Sequence, residues 1–163
     1  MEIYKNVLLE ETIGIIESNL GKKLTQITVE RAVLGLFFSG VKLSTGHGGL
    51  CFTPVKEMPE AVCCPSSAKA MPLSGKLKGR PVTEYIKDVR SENPLKRTLG
   101  IAALNALSTL CWEIEKPTDY EIVLGKDAFD DVDISRYKKT VVVGALVPIL
   151  KKLNKAEADY KVL

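Results

Sequence analysis

Histidine and cysteine, the side chains that bind soft metals, are concentrated in one part of this 163-residue chain. His47, the single histidine, lies close in sequence to Cys51, Cys63 and Cys64, and Cys111 is the one cysteine elsewhere. Imidazoles and thiolates favour soft transition metals, so the four clustered residues are a candidate metal site. Structural zinc sites usually contain Cys-x2-Cys pairs, and none occurs here. Buried thiols without a metal are the alternative, and the sequence favours them.

Glycine and proline are frequent in residues 44–67, which predicts loops and a hairpin rather than a helix. A cysteine nucleophile with His47 as its base is disfavoured. The histidine lies in a glycine-rich turn, and the sequence shows no carboxylate that would orient it. We therefore assign no catalytic residue from sequence.

The composition limits the classes of partner. Lysine and arginine exceed aspartate and glutamate by a net charge of +3, and both signs are scattered along the chain. The sequence contains no basic stripe interleaved with aromatic residues, so nucleic acid is not an expected partner. The chain also shows no secretory signal and no apolar run of membrane-spanning length. We expect a cytoplasmic protein whose cysteines are reduced thiols.

The first half of the chain predicts a helix followed by antiparallel strands. Apolar residues recur at helical spacing over residues 4–20, and Gly21 follows as a stop. Residues 27–43 are rich in valine, leucine and phenylalanine, and a glycine turn containing His47 leads into residues 50–53. This order predicts a β-meander. Ser39-Gly40 allows a turn within the run, so two strands or one bent strand are both compatible with the sequence.

The next part of the chain predicts a helical layer. Residues 54–80 contain too many prolines and glycines for long regular structure. Pro81 begins a short helix to about residue 90, and Asn93-Pro94 opens a longer one over residues 94–112. No charged residue occurs on this longer helix after Arg97, so it must be largely buried.

The buried helix carries a narrow polar edge that includes Thr98, Asn105 and either Ser108 or Thr109. A polar side chain in such a place needs hydrogen-bond partners. Asn105 either clamps a neighbouring strand or loop or points into a cleft. The sequence favours neither.

The end of the chain predicts a β-α-β unit of a Rossmann-like sheet. Residues 137–144 give a strand that ends in glycine, residues 147–153 a helix, and residues 160–163 a parallel strand beside the first. Thr140–Val143 has the composition of a strand buried on both faces. The glycine turn lacks the other glycines of the dinucleotide fingerprint, so NAD binding is not expected.

Two charged clusters have simple explanations. The aspartates 127, 130, 131 and 133 lack the ligand pattern of an EF-hand, and helix capping accounts for them. The basic segment 74–80 lacks a phosphate-binding Gly-Lys-Ser/Thr sequence and is interpreted as a solvated loop.

Several motifs follow one another over nearly the whole chain: the glycine hairpin, Cys63-Cys64-Pro65, Leu77-Lys-Gly79-Arg-Pro81, Asn93-Pro94-Leu95, Gly100-Ile-Ala-Ala-Leu-Asn105-Ala-Leu107, Phe129-Asp-Asp-Val-Asp133 and Val141-Val-Val-Gly144. In this order they resemble the heavy-metal chelation family. The resemblance implies an α+β fold: an enolase N-terminal-like domain over residues 1–136, then the start of a C-terminally truncated Rossmann-like domain over 137–163.

The same resemblance implies a function at the domain junction. Family members are thought to bind or transform a chelator-like heterocycle related to pterins, flavins or siderophores. The positions carried over to this chain are Thr53, Cys63, Cys64, Asn105, Gly144 and Ala145. The rival hypothesis is a non-catalytic soft-metal-binding or assembly module that uses His47 and the clustered cysteines. Because a two-stranded sheet leaves exposed edges, we also expect either self-association through residues 137–163 or packing of this tail on the first domain at the expense of stability.

Overall fold

The computed structural model describes residues 6–54, 71–116, 118–119, 121 and 123–163. The predicted residues Cys63 and Cys64 lie outside these ranges. The chain divides into two compact units, Met1–Pro117 and Thr118–Leu163. The second unit begins before the boundary predicted at residues 136 and 137, and the family domain boundary stays a prediction.

The first unit is an α+β fold, which confirms the predicted class. In chain order its elements are α1 (Val7–Leu20), a 3-10 helix (Gly21–Gln26), β1 (Val29–Leu34), β2 (Phe38–Leu43), β3 (Gly48–Phe52), α2 (Val82–Asp88) and α3 (Pro94–Ile114). Asn6 caps α1, and Asn93 caps α3 by accepting hydrogen bonds from the backbone N–H groups of Leu95 and Lys96. These side chains satisfy N–H groups that the first helical turn leaves unpaired.

The three strands form an antiparallel sheet in the order β1-β2-β3. Residues 27–43 therefore form two strands and not one bent strand, which the sequence also allowed. The reversal lies at Gly35, where a Cβ atom would come within 2.5 Å of the Phe38 carbonyl oxygen. Ser39 and Gly40 lie inside β2, so the turn that we considered at these residues is wrong.

Alternation along the strands separates a helix-facing side of the sheet from an outer side. Val29, Val41 and Leu43 are buried on the helix-facing side. The outer side carries charged, glycine and exposed apolar residues, namely Arg31, Val33, Phe38, Gly40, Lys42, Gly48, Leu50 and Phe52.

Helix α3 is the centre of the hydrophobic core. It packs against β2 and β3 and also contacts α1 and α2. Most of its apolar residues are fully buried, as the absence of charge after Arg97 predicted. Gly49 lets the backbones of β3 and α3 meet, because a Cβ atom there would lie 2.1 Å from the Ala102 carbonyl oxygen.

The second unit contains the predicted β-α-β segment. Two 3-10 helices, Ala128–Asp131 and Ile134–Arg136, precede β4 (Thr140–Val142), α4 (Val147–Lys155) and β5 (Tyr160–Val162). The strands β4 and β5 pair in parallel, which confirms that prediction.

The prediction that Thr140–Val143 is buried on both faces is wrong. Val142 is buried, whereas Val141 is 55% and Val143 is 76% exposed. One face of the β4 and β5 pair thus carries no covering layer within the described residues.

Candidate functional site

His47 is held between two polar side chains. Its Nδ1 atom lies 2.9 Å from the Thr45 hydroxyl, and its Nε2 atom lies 2.9 Å from a carboxylate oxygen of Glu113. The imidazole is only 11% exposed. Our inference that the histidine lacks an orienting carboxylate is therefore wrong. Glu113 lies at the end of α3, and packing of this helix beside β3 supplies the carboxylate.

Cys51, on the helix-facing side of β3, and Thr53, just after the strand, serve in packing and internal hydrogen bonding. Cys51 is half-buried against the core, and the Thr53 hydroxyl lies 2.7 Å from the buried Ser39 hydroxyl. Burial raises the pKa of the Cys51 thiol and of the Cys111 thiol. Because the thiolate is the metal ligand and nucleophile, a raised pKa disfavours both roles at neutral pH.

The described residues do not assemble a metal site from the predicted ligands. Within these ranges, no three histidine, cysteine, aspartate or glutamate residues lie close enough to hold a metal ion. Along an extended strand, His47 and Cys51 are separated by about 13 Å between their Cα atoms. The metal set that includes Cys63 and Cys64 stays a prediction, because those two residues lie outside the described ranges.

Asn105 clamps the edge of the sheet, as one of the two sequence hypotheses proposed. Its side-chain amide donates a hydrogen bond to the Leu50 carbonyl at 2.8 Å, and the Thr98 hydroxyl donates to the Phe52 carbonyl at 3.4 Å. The polar edge of α3 thus binds alternate carbonyls of β3. Asn105 is nevertheless exposed, and it also lines a hollow.

We call this hollow the sheet hollow. It has a volume of about 500 Å³ and extends over the outer side of the sheet to the exposed edge of α3. Its lining consists of two cations, three glycines, three aliphatic residues and two polar helix residues: Arg31, Lys42, Gly40, Gly48, Gly49, Val33, Val41, Leu50, Asn105 and Thr109. Among these described lining residues, none carries a carboxylate, thiol or imidazole.

The electrostatics of the sheet hollow are dominated by cations. Lys42 forms an ion pair with Glu30 at 3.0 Å, and its hydrogen bond is the main reason that the pKa of Glu30 lies below the ordinary value. The guanidinium of Arg31 makes no hydrogen bond or ion pair with another described residue. It also borders a second hollow of about 330 Å³ beside β1, whose lining includes Lys78.

The sequence analysis identified Asn105 but missed Arg31 and Lys42. The available signals were charged residues within apolar strands and glycines at alternating positions. Alternation counted from the buried Val29 would have placed Arg31 on the helix-facing side, because it does not anticipate the irregular register between these two residues, which moves Arg31 to the outer side. Alternation also could not reveal that α3 reaches the same hollow.

Gly144 and Ala145 form the turn after β4 in the second unit. Gly144 has a φ angle of +87°, its N–H donates to the Leu163 carbonyl, and the Ala145 carbonyl accepts from the Val147 N–H. The role of these residues in ligand binding stays a prediction.

The acidic cluster of the second unit caps short helices. Asp127 accepts from the Phe129 N–H and Asp133 from the Ser135 N–H, as predicted. Lys152 also forms ion pairs with Asp127 and Asp130. The hydrogen bond from the Phe129 backbone and the one from Lys152 both lower the pKa of Asp127.

In the basic segment 74–80, the residue next to α2 is already paired within the fold. Arg80 is paired with Glu84 at 2.6 Å, and its guanidinium lies over the Tyr85 ring. The positive charge of Arg80 is therefore paired with a carboxylate of the first unit.

Comparison with known proteins gives a family and a fold. Residues 18–108, more than half of the chain, match the family model DUF4213, whose description is "Putative heavy-metal chelation". Two solved structures of DUF364-family proteins of unknown function, from Pyrococcus horikoshii and Desulfitobacterium hafniense, are each 20% identical to this chain, with TM-scores of 0.55 and 0.52.

The chain spans little more than half the length of these two proteins. The matches cover 95% and 94% of this chain but 54% and 57% of the two solved chains. At this identity they establish similarity of fold alone. No curated protein of known function is significantly similar to the chain. Each helix in the described part of the chain is too short or too polar to cross a membrane.

Proposed function

Because this chain belongs to the DUF4213 heavy-metal chelation family, we propose that it binds a small anionic chelator-like heterocycle in the sheet hollow. The ligand class comprises pterin-, flavin- or siderophore-related molecules. The hollow is formed by residues of the first unit. Ligand binding by Gly144 and Ala145 of the second unit stays a separate prediction.

The chemistry of the lining is the observation that carries the proposal. Arg31 and Lys42 attract an anion, and Arg31 presents a planar guanidinium that matches a carboxylate. Because the described lining has no carboxylate, thiol or imidazole, it is suited to the organic chelator rather than to a bare metal ion.

The shape of the sheet hollow suits a flat ring. Gly48 has no side chain to fill the outer side of the sheet, the Leu50 side chain lies across Gly40, and Val33 and Leu50 supply apolar contacts. The Asn105 amide nitrogen is bonded to Leu50, which leaves its Oδ1 atom to accept an N–H group from a heterocycle. Pterins and flavins carry such ring N–H groups beside oxygen atoms.

Fluorescence titration with pterin-6-carboxylate tests this function. We expect the wild-type chain to bind the probe and the Arg31→Ala, Lys42→Ala double variant to bind about tenfold more weakly, because two charge contacts are lost. The control is the Lys22→Ala, Lys87→Ala variant, which removes the same charge from exposed positions outside the hollow. Absence of binding, or equal losses in both variants, would contradict the proposal.

Metal analysis of the purified protein under reducing conditions distinguishes the rival function. Stoichiometric zinc or copper that is lost in the Cys63→Ser, Cys64→Ser variant would favour direct metal binding by the cysteines. The proposal expects no stoichiometric metal on the chelator-free protein, with or without the two cysteines.

A further inference from the structure

The geometry points to recognition of the metal-free, anionic form of an aromatic chelator in preference to its metal complex. This inference rests on the proposed function and adds the chemical form of the ligand. It depends on the charge, the donor groups and the apolar face around the sheet hollow.

The first step concerns charge. Arg31 and Lys42 face the sheet hollow. Lys42 is paired with Glu30 at 3.0 Å, and this carboxylate is not part of the described lining. The neighbouring hollow, which Arg31 also borders, adds the cation of Lys78 together with the carboxylate of Glu30. A free chelator presents charged oxygens to these cations. In a metal complex, the same oxygens are bound to a cation and attract Arg31 and Lys42 less strongly.

The second step concerns what the hollow could offer to the metal. The described lining supplies aliphatic, glycine, amide and hydroxyl groups besides its two cations. It has no thiolate, imidazole or carboxylate that would complete the coordination of a chelated soft metal. Loading the chelator with a metal ion therefore weakens its ion pairs with Arg31 and Lys42 and adds no compensating bond to the protein.

The third step concerns the ring. Val33 and Leu50 are more than half exposed on the outer side of the sheet, and the cross-strand pair Phe38 and Phe52 lies on the same side. A Cβ atom on Gly40 would come within 2.9 Å of the Leu50 side chain, so Leu50 lies over the glycine floor. The surface thus has an apolar end and a cationic end, which matches an aromatic ring that bears carboxylates.

Two matched probes distinguish the ability to chelate a metal from molecular shape and charge. Pyridine-2,6-dicarboxylate binds Zn²⁺ through its ring nitrogen and both carboxylates. Benzene-1,3-dicarboxylate has the same outline and charge but lacks the nitrogen, so it chelates poorly. Isothermal titration calorimetry with the full chain measures both probes, with and without one equivalent of Zn²⁺.

We expect both free probes to bind, and Zn²⁺ to weaken binding of the pyridine compound about tenfold while leaving the benzene compound unchanged. If Zn²⁺ affects neither probe or weakens both equally, the preference for the free form is overturned while chelator binding stands. If neither probe binds, or if the Arg31→Ala, Lys42→Ala variant binds both as tightly as wild type, the proposed function itself is contradicted.

Discussion

Asn105 uses the two ends of its side-chain amide differently. The nitrogen binds the Leu50 carbonyl and fixes the edge of β3, whereas the oxygen is directed to no other described residue. The clamp and the cleft, which the sequence presented as alternatives, are therefore compatible. A side chain held by one hydrogen bond is positioned to make another with a ligand, because its rotamer is already restricted.

At this scale we predict the effect of Asn105→Ala on stability. The variant should lower the free energy of unfolding by about 1 kcal/mol, since it removes a hydrogen bond to a strand carbonyl that water can partly replace. Urea denaturation measures the change. The control is Thr109→Ala, whose hydroxyl bonds to the Asn105 carbonyl within the same helix. It should be neutral or slightly stabilising, because alanine is the better helix former. Equal losses in both variants would argue against the clamp.

His47 has a carboxylate partner, Glu113, that lies far from it along the chain. The histidine lies in the turn before β3, and the glutamate is the first charged residue after the apolar part of α3. Asn105, Thr109 and Glu113 follow one another at intervals of four residues, so they lie on the same edge of the helix. That edge runs beside β3 and meets the turn.

At the scale of elements, the contact between α3 and β3 determines the site. The helix and strand approach so closely at Gly49 that any side chain would collide with the helix backbone. This close packing brings Asn105 and Thr109 to the border of the sheet hollow. The stability of the core and the shape of the hollow thus depend on the same glycine.

We therefore predict opposite effects for two glycine-to-alanine changes. Gly49→Ala should destabilise the fold by about 3 kcal/mol, because the new methyl group overlaps the Ala102 carbonyl and the Ala106 nitrogen. Gly14→Ala is the control. Gly14 lies within α1, and a Cβ atom there would meet no other atom within 4 Å, so alanine should stabilise by about 0.5–1 kcal/mol. Thermal and urea unfolding would contradict this packing if Gly49→Ala proved neutral.

At the scale of the whole molecule, the second unit exposes much apolar surface. Val141, Val143, Leu146 and Val147 are each at least half exposed, and β4 has one unpaired edge among the described residues. An open strand edge with exposed valines promotes pairing with another strand. The expected self-association through residues 137–163 remains our proposal for this surface.

Analytical ultracentrifugation checks this expectation. The wild-type chain should associate in a concentration-dependent manner, and Val141→Lys should raise the dissociation constant at least about tenfold by placing a charge on the edge strand. Val123→Lys adds the same charge at an equally exposed valine of the same unit and should leave association unchanged. A wild-type chain that stays monomeric at high concentration would rule out this contact.

The sequence by itself determined the features that depend on neighbouring residues. Asn93-Pro94 marked the start of α3, the absence of charge marked its burial, and the composition of the last residues marked the parallel β-α-β segment. Helix caps, apolar periodicity and short crossover connections are local properties, so one sequence suffices to predict them. The error at Ser39-Gly40 arose because glycine occurs both in turns and beneath a large cross-strand side chain.

Only the tertiary structure decided which distant side chains share a site. Arg31, Lys42 and Asn105 belong to three elements, and His47 meets Glu113 across a helix and a turn. Periodicity gives the face on which a residue lies, but strand register and helix packing decide which faces meet. The sequence drew attention to the clustered thiols because they are close along the chain. The cationic hollow has no such sequence signal, since packing alone brings its residues together.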